Sequence, residues 1–283
     1  MDLRNLSVRS ASGLVYAALL IGSVLCGPVV TAVVLSIFAV IAVDELESCV
    51  LSGSKVTNWR FTETINVITV GCFIFSGILN DVASIYLLVI FCALVMTRFL
   101  TQLFIRQDNP LKSISLFVFE IFYIGIPLFL FTCCVSIISN PWIIICALAM
   151  IWINDTGAFL VGSLVGKHKL FPRLSPKKSW EGFLGGLMFN IGAAFIYFYC
   201  FHLTSADLIH FSLGLWIIVG IITTIFATLG DLFESMIKRS LGIKDFGKLI
   251  PGHGGILDRI DSLLFVVPSI IFIVILLAYG QIF

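Results

Sequence analysis

Long apolar runs, separated by short polar segments, extend along almost the whole chain. Nine of these runs are close to the roughly 20 residues that a helix needs to cross a bilayer. Their approximate bounds are 11–26, 28–43, 64–80, 83–104, 113–134, 141–166, 182–203, 211–234 and 261–281. The first two are short and are separated only by Gly27 and Pro28, so one kinked helix is the alternative for residues 11–43. The pattern predicts an all-α, polytopic protein of the lipid bilayer, organised as one membrane-embedded domain over residues 1–283.

The composition agrees with a membrane protein. Of the 283 residues, 59% are hydrophobic and 12% are charged, whereas soluble domains carry roughly 25% charged residues. The net charge is only +1, and there is no basic domain or zinc-finger spacing, so no nucleic-acid partner is expected. The eight cysteines include no Cys-x-x-Cys pair and lie mostly in apolar runs, which favours small buried side chains over metal ligands or disulfides.

The positions of the basic residues predict an orientation. With nine spans and a cytoplasmic N-terminus, all 17 lysines and arginines fall on the side assigned to the cytoplasm. Such a bias is typical of inner segments of membrane proteins. It supports nine spans with the C-terminus outside, and fusing the first two spans would disrupt this parity. The expected location is the bacterial inner membrane.

The most polar stretch, residues 230–262, lies between the last two predicted spans. If Asp231 continues the preceding helix, then Asp231, Ser235 and Lys238 share one helix face. Asp258 and Asp261 lie three residues apart and share a face at the start of the last helix. Carboxylates on two adjacent helix ends suit a hard cation such as Mg²⁺.

Basic residues and glycines complete this stretch. Glycines on both sides of His253 allow tight turns or close approach to a ligand. A metal ion together with basic side chains suits chemistry on a nucleotide polyphosphate. By charge alone, a solvated cytoplasmic loop is an equally good interpretation. The basic residues are Lys238, Arg239, Lys244, Lys248 and Arg259.

A second polar segment precedes the seventh predicted span. Ser175 and Pro176 break the chain, and Ser179 is placed to cap the following helix, with Glu181 in its first turn. Lys177 and Lys178 then lie beside a helix N-terminus, which is a plausible anion site. In the alternative, the cap is purely structural and the lysines face lipid headgroups.

Other acidic residues lie within or beside the apolar runs. Asp155 follows Asn154 inside the sixth span, where metal, substrate or a hydrogen bond between helices would satisfy it. Glu120 falls within the fifth span, and an interhelical hydrogen bond is favoured there over a functional role. The loop 44–63, which carries Asp44, Glu45, Glu47, Lys55 and Arg60, is interpreted as a solvated turn with a connecting amphipathic piece.

The order of these residues resembles a known signature. Ser235-x-x-Lys238-Arg239, then Lys244-Asp245, then Pro251-Gly-His-Gly-Gly-x-x-Asp258-Arg259-x-Asp261 is similar to the signature of the phosphatidate cytidylyltransferases, or CDP-diacylglycerol synthases. The segments Asp155-x-Gly-Ala and Ser175-Pro-Lys-Lys-Ser179-x-Glu181-Gly182 also resemble this family. The resemblance covers roughly residues 150–265.

The resemblance implies an enzyme that transfers CMP from CTP to phosphatidic acid, with Mg²⁺ as one metal ion or two, and it fits a homodimer. The residues expected to bind metal are Asp231 and Asp258, with Asp261 and Asp155 as further candidates. The residues expected to act in catalysis are Lys238, Arg239, His253 and Arg259. The residues expected to bind substrate are Ser175, Lys177, Lys178, Ser179, Ser235 and Lys244.

Two other functions remain open at this point. A CTP-dependent polyprenol kinase would use the same nucleotide but would move its γ-phosphate. A cation-coupled transporter would place acidic residues at the middle of the membrane. The charges concentrate at one face and no internal repeat is evident, so the pattern favours cytidylyl transfer.

Overall fold

The computed structural model describes residues 3–51, 59–78, 82–105, 109–204, 212–247 and 254–280. Helices account for nearly all of these residues, and each predicted span coincides with a helix. The helices are α1 (Leu3–Cys26), α2 (Pro28–Leu51), α3 (Trp59–Ser76), α4 (Val82–Thr101), α5 (Pro110–Glu120), α6 (Ile126–Ile137), α7 (Pro141–Val165), α8 (Trp180–Thr204), α9 (Leu213–Ser240) and α10 (Leu257–Gly280). A π-helical turn, Ile121–Gly125, joins α5 to α6 in one continuous helix.

Most of these helices have the length and composition of membrane spans. Among the described residues, seven are long and apolar enough to cross a bilayer: α2, α4, the continuous helix from α5 to α6, α7, α8, α9 and α10. The apolar parts of α1 and α3, Gly13–Cys26 and Phe61–Ser76, are shorter. The chain is therefore an all-α, multi-pass membrane protein, as predicted. The count of nine spans and the orientation stay predictions.

The first two predicted spans are separate helices. Gly27 lies between α1 and α2 with a φ of 103°, a left-handed conformation that glycine adopts without steric cost. Its amide donates to the carbonyl of Val24, and its own carbonyl accepts from the amide of Thr31, so each helix end gains one hydrogen bond at the break. Because α1 packs against α2, the single kinked helix is excluded for this segment.

A short β-hairpin is the exception to the helical pattern. Strand β1 (Lys169–Phe171) pairs antiparallel with β2 (Ser175–Ser179) between α7 and α8. The amide of Trp180 also donates to the carbonyl of His168, which ties the start of α8 to the hairpin. Three- and five-residue strands are too short for a clear alternating pattern, so the sequence predicted only a chain break here.

The chain divides into two compact units. The first unit contains Met1–Pro141 and Leu241–Ile260, and the second contains Trp142–Ser240 and Asp261–Phe283. In the first unit, α2 packs against α1, α3 and α6 around side chains such as Leu35 and Leu46. In the second unit, α8 and α9 form the main helix pair. The single-domain organisation inferred from the sequence stays a prediction.

The interpretation of residues 44–63 as starting with a solvated turn is wrong. Helix α2 continues through these positions to Leu51, and Glu45 and Glu47 are buried. Burial is possible because both carboxylates have hydrogen-bond donors from distant parts of the chain. Glu45 accepts from the amides of Ile256 and Leu257, and Glu47 accepts from the side chain of Asn66.

Candidate active site

Three carboxylates converge in the second unit, and we call them the acidic trio: Asp231, Glu234 and Asp261. One oxygen from each lies within 4.8 Å of the others. Asp231 and Glu234 are three residues apart on α9, and Asp261 comes from the second turn of α10. Asp261, which the sequence offered only as a further candidate behind Asp258, is thus the acid of α10 that lies beside Asp231. Glu234 was missed, although its spacing of three from Asp231 places it on nearly the same helix face.

Close approach of α9 and α10 brings the trio together. A Cβ atom on Gly230 would lie only 2.7 Å from the carbonyl oxygen of Asp261 and 3.2 Å from the Cα of Ser262. Only a residue without a side chain fits between these backbones. The hydroxyl of Ser262 donates to the carbonyl of Ala227 at 3.3 Å and adds a bond between the same two helices. Gly230 thus places Asp261 next to Asp231.

Two lysines pair with the trio. Lys178 of the hairpin forms an ion pair with Asp231 and also donates to the carbonyl of Thr228 at 3.4 Å. Lys238 pairs with Glu234, four residues earlier on α9, at 2.5 Å. Helix α9 runs unbroken to Ser240, which confirms the predicted shared face of Asp231, Ser235 and Lys238. These lysines lower the repulsion among three neighbouring acids.

A cavity of about 580 Å³ opens beside Asp231. Its volume lies within the range of about 300 to 1,000 Å³ that is usual for small-molecule sites. The charged and hydroxyl groups that line it are Asp155, Ser163, Lys169, Ser175, Lys177, Lys178, Ser179, Thr228 and Asp231. Apolar side chains, including Phe159, Leu170 and Phe183, line the rest. The structure therefore brings together Asp155, Asp231 and the predicted residues of the hairpin.

The hairpin is held by contacts at the start of α8. The hydroxyl of Ser179 accepts from the amide of Gly182 at 3.2 Å, which confirms the predicted helix cap. Glu181 accepts from the amides of Lys167 and His168 at 3.2 Å, and one of its oxygens lies 2.6 Å from Nδ1 of His168. Because its carboxylate binds the loop after α7, Glu181 fixes the segment that leads into the hairpin.

Small residues allow α7 and α8 to pack closely beneath the hairpin. A Cβ atom on Gly182 would lie 2.9 Å from the carbonyl of Ala158 and 3.3 Å from the Cα of Gly162. A glycine at position 182 thus lets the two helices approach closely. This close packing keeps the C-terminal half of α7, which carries Asp155, beside the start of α8.

The acidic trio has a suitable donor set for Mg²⁺. This ion prefers oxygen ligands at about 2.0 to 2.1 Å, so ligand atoms across the ion lie about 4 Å apart. The oxygens of the trio lie within 4.8 Å of one another, close to this limit, and binding of Mg²⁺ would draw them together. Glu234 is only 1% exposed, so a cation beside it would also relieve a buried negative charge.

Asp258 and its neighbours lie in the first unit. One oxygen of Asp258 accepts from the amides of Phe246 and Gly255, at 3.0 and 2.8 Å. Glu45 accepts from the next two amides, at the start of α10, so the two carboxylates together organise this turn. No local pattern indicated that Glu45 accepts hydrogen bonds from α10, because its partners are more than 200 positions away.

The remaining predicted residues have varied surroundings. In the second unit, the hydroxyl of Ser235 is 3.5 Å from Asp231, and Arg239 is exposed in the last turn of α9. In the first unit, Lys244 is exposed, and the carbonyl of Arg259 accepts from the hydroxyl of Tyr16. The prediction for His253 lies outside the described residues. The roles of all these residues stay predictions.

Comparison with known proteins gives consistent matches. Residues 7–277 match the family model described as the cytidylyltransferase family. Over 129 residues, the chain is 46% identical to a protein named phosphatidate cytidylyltransferase from Staphylococcus aureus strain COL, which covers 44% of this chain and 46% of the relative. Proteins of the same name from Staphylococcus haemolyticus and Staphylococcus saprophyticus are 46% identical over 127 residues, with the same coverage. The chain thus spans about half the length of these curated relatives.

Proposed function

The chain belongs to the cytidylyltransferase family, and we propose that it transfers CMP from CTP to phosphatidic acid, giving CDP-diacylglycerol and diphosphate. The observation that carries this proposal is the position of the acidic trio beside a lysine-lined cavity in a membrane protein. Metal ligands and lysines are the groups that a triphosphate needs, and a membrane location suits a lipid co-substrate.

In the proposed reaction, a phosphate oxygen of phosphatidic acid attacks the α-phosphorus of CTP. A new phosphorus–oxygen bond forms there, while the bond from the α-phosphorus to the bridging oxygen breaks and diphosphate leaves with its electron pair. The lipid phosphate is already ionised near neutral pH, so no general base is required. The protein contributes alignment of the two phosphates and neutralisation of their charge.

Asp231, Glu234 and Asp261 would hold Mg²⁺, with Asp155 and Asp258 as further candidates. When bound, Mg²⁺ would neutralise phosphate oxygens and the departing diphosphate. The number of ions, one or two, belongs to the same proposal. The geometric support is that Asp155 and Asp231 line one cavity, whereas Asp258 is supported by the sequence signature alone.

Lysines around the cavity would bind the phosphates. Lys177 is exposed and lines the cavity, so it is available to an entering anion. Lys178 pairs with Asp231 in this structure, and binding of a metal to Asp231 would release it toward a phosphate. Ser175 lines the same cavity, and Ser179 combines its lining position with the helix cap.

The other predicted residues keep the roles that the family resemblance implies. Lys238 pairs with the trio and would carry positive charge close to the metal. Ser235, Arg239, Lys244, His253 and Arg259 are proposed to bind or orient phosphate groups on the strength of the signature. A general acid–base role is not assigned to His253.

We also propose an orientation in the bacterial inner membrane. Nine spans, a cytoplasmic N-terminus and an external C-terminus follow from the one-sided distribution of basic residues. A reporter that is active only in the cytoplasm, fused after Phe283, should give no signal. A strong signal would exclude the nine-span arrangement. The homodimer implied by the family resemblance is tested by the mass of the purified protein in detergent.

Product analysis tests the proposed reaction. The purified protein is incubated with phosphatidic acid and CTP labelled at either the α- or the γ-phosphate, with and without Mg²⁺. We expect lipid label only from α-labelled CTP, only with the metal present, and release of diphosphate. Lipid label from γ-labelled CTP would instead identify a lipid kinase. Absence of lipid label from both nucleotides, with a folded protein, would exclude both transferases and favour transport.

A further inference from the structure

A second group of polar side chains lies in the first unit, outside the segments that carry the family resemblance. We call it the buried polar cluster: Glu47 on α2, Asn66 on α3, Arg98 on α4 and Glu120 on α5. Glu47 is 2% exposed, Asn66 1%, and Arg98 and Glu120 not at all. Four helices of the membrane domain thus each contribute one polar group to a sealed interior. Such groups are costly there unless they satisfy one another.

Asn66 is the centre of the cluster. Its amide nitrogen donates to Oε1 of Glu47 at 2.6 Å and to Oε2 of Glu120 at 3.0 Å. Its amide oxygen accepts from Nε of Arg98 at 2.8 Å. One neutral side chain therefore links both carboxyl groups to the arginine. The favoured sequence interpretation of Glu120, a hydrogen bond between helices, is confirmed.

The remaining nitrogens of Arg98 bind neutral groups. They donate to the side chains of Gln102 and Ser113, at 2.9 and 2.7 Å, and the guanidinium lies over the ring of Phe117. An arginine stays charged in proteins. Within the described residues, the groups in contact with this buried positive charge are neutral, so it needs one negative charge nearby. Two ionised glutamates would supply two negative charges.

Each glutamate also has an oxygen that Asn66 does not reach. In the described part of the chain, Oε2 of Glu47 and Oε1 of Glu120 are buried and accept from no donor. The two carboxyl groups are nevertheless close enough to hydrogen-bond to each other. An ionised carboxylate can only accept, so two of them repel at this distance. A single proton placed on either oxygen supplies the missing donor.

We propose that Glu47 and Glu120 share one proton, so that the buried polar cluster is an intramembrane proton-binding site with no net charge. The positive charges of Arg98 and of one proton equal the negative charges of the two glutamates. Among the described residues, the other charged group that acts on Glu47 is Asp44, which is exposed and adds negative charge, so it also favours the bound proton. A hard metal cation is a poorer occupant, because such ions take about six or more oxygen ligands.

Infrared spectroscopy of the unmodified full-length protein tests the proton directly. The protein is reconstituted in lipid, with and without ¹³C in its glutamate side chains. At neutral pH we expect a carbonyl band of a protonated carboxylic acid that shifts with the glutamate label and again in D₂O. Because the label is confined to glutamate, Asp261 and the other aspartates do not contribute to the shift. Absence of a label-sensitive band would overturn the proposal.

Glutamine variants provide the second test. In Glu47→Gln or Glu120→Gln, the amide N–H replaces the acid O–H, and the remaining carboxylate balances Arg98. Each single variant should lose the band and keep a Tm and a catalytic activity close to the wild type. The double variant leaves Arg98 without a counter-charge and should unfold at a clearly lower temperature. Adding Arg98→Gln to the double variant should recover part of this loss.

Two results would contradict the shared proton. The first is a band that persists in both single variants. The second is a Tm that is lowered by each single variant as much as by the double variant, since both glutamates would then be ionised and both required. Tm is also compared in choline, sodium and potassium chloride at one ionic strength. A Tm that rises specifically with sodium or potassium would assign the balancing charge to a metal ion and overturn the proposal as well.

Discussion

The acidic trio of the second unit and the buried polar cluster of the first unit use similar residues in opposite surroundings. Asp231 of the trio lines a cavity and pairs with Lys178, a side chain that is itself partly exposed in that cavity. In the buried polar cluster, Arg98 and Glu120 are wholly enclosed and bridged by Asn66. Asp231 has a lysine partner and open space beside it, whereas Glu120 is held by the amide of Asn66. The two groups therefore differ in access to open space and in the number of neighbouring charged side chains, although both contain buried acids.

The largest difference in catalytic rate between the two groups is expected when one carboxylate of each is replaced by its neutral amide. Asp231→Asn or Asp261→Asn should lower kcat by about 1,000-fold, since an electrostatic contact to the reacting phosphates is lost. The matched Glu120→Gln should leave turnover nearly unchanged. Cytidylyl transfer is measured in detergent over a range of Mg²⁺ concentrations.

Thermal unfolding of each variant is the control for this comparison, because loss of a buried pair also destabilises a protein. Substantial activity with unchanged Mg²⁺ dependence in Asp231→Asn would show that Asp231 is not a metal ligand.

The next effect concerns the spacing of the two helices that carry the trio. Gly230→Ala places a Cβ atom 2.7 Å from the carbonyl of Asp261, so α9 and α10 must separate locally. A shift of about 1 Å between catalytic groups can cost about 100-fold in rate, and we expect a loss of that order in kcat/KM. The control is Gly192→Ala in α8, where a Cβ atom meets nothing within 4 Å. Equal activity in both variants would show that Gly230 is not required for the spacing of the acidic trio.

A smaller effect is expected from the lysines of the hairpin. Lys177→Ala removes a charge that lines the cavity, and the loss of one hydrogen bond to a charged group corresponds to about a tenfold rise in the KM for CTP. Lys178→Ala also leaves Asp231 without its ion-pair partner and should change the Mg²⁺ dependence. Lys167→Ala is the control, because Lys167 is exposed but does not line the cavity. If the single variants of Lys177 and Lys178 and the double variant all have wild-type kinetics, the lysines do not bind substrate phosphates. The alternative, in which they face lipid headgroups, would then hold.

The smallest effect is expected at Glu45, whose carboxylate accepts from two amides at the start of α10. Glu45→Ala leaves these buried amides without their acceptor, at a cost of about 1 to 3 kcal/mol in the free energy of unfolding. For a protein of this size, each kcal/mol corresponds to about 2 to 4 °C in Tm. Glu45→Gln keeps an acceptor oxygen and should recover part of the loss, as measured by thermal unfolding. An unchanged Tm in Glu45→Ala would show that water replaces the carboxylate.

The features that the sequence predicted are those set by local spacing. Helical periodicity placed Asp231, Ser235 and Lys238 on one face, and the cap by Ser179 followed from its position before an apolar run. The sequence also predicted that acids from the two adjacent helix ends converge, with Asp231 and Asp258 as the main pair and Asp261 as a further candidate. In the second unit it is Asp261 that lies beside Asp231. These inferences depend on neighbours in sequence or on one short connection.

The features that were missed depend on contacts between distant segments. Glu45 and Glu47 were assigned to a solvated turn, because nothing near them in sequence indicates their hydrogen-bond donors. Those donors are the side chain of Asn66 and backbone amides at the start of α10. The ion pair between Lys178 and Asp231 likewise joins residues on separate elements. The hairpin strands were missed because they are too short to show a period. Tertiary partners of this kind have no local sequence signal.

The contact of Glu45 with α10 also has a consequence for the order of assembly. Glu45 is translated early, but Leu257, whose amide it binds, follows 212 positions later in the chain. Chains are synthesised from the N-terminus, and contacts over long sequence separations form late because the intervening chain must first be closed into a loop. The N-terminal helices therefore cannot complete their own unit until almost the whole polypeptide has left the ribosome. Until then, the carboxylate of Glu45 lacks the two backbone amides of α10 that it binds in the folded protein.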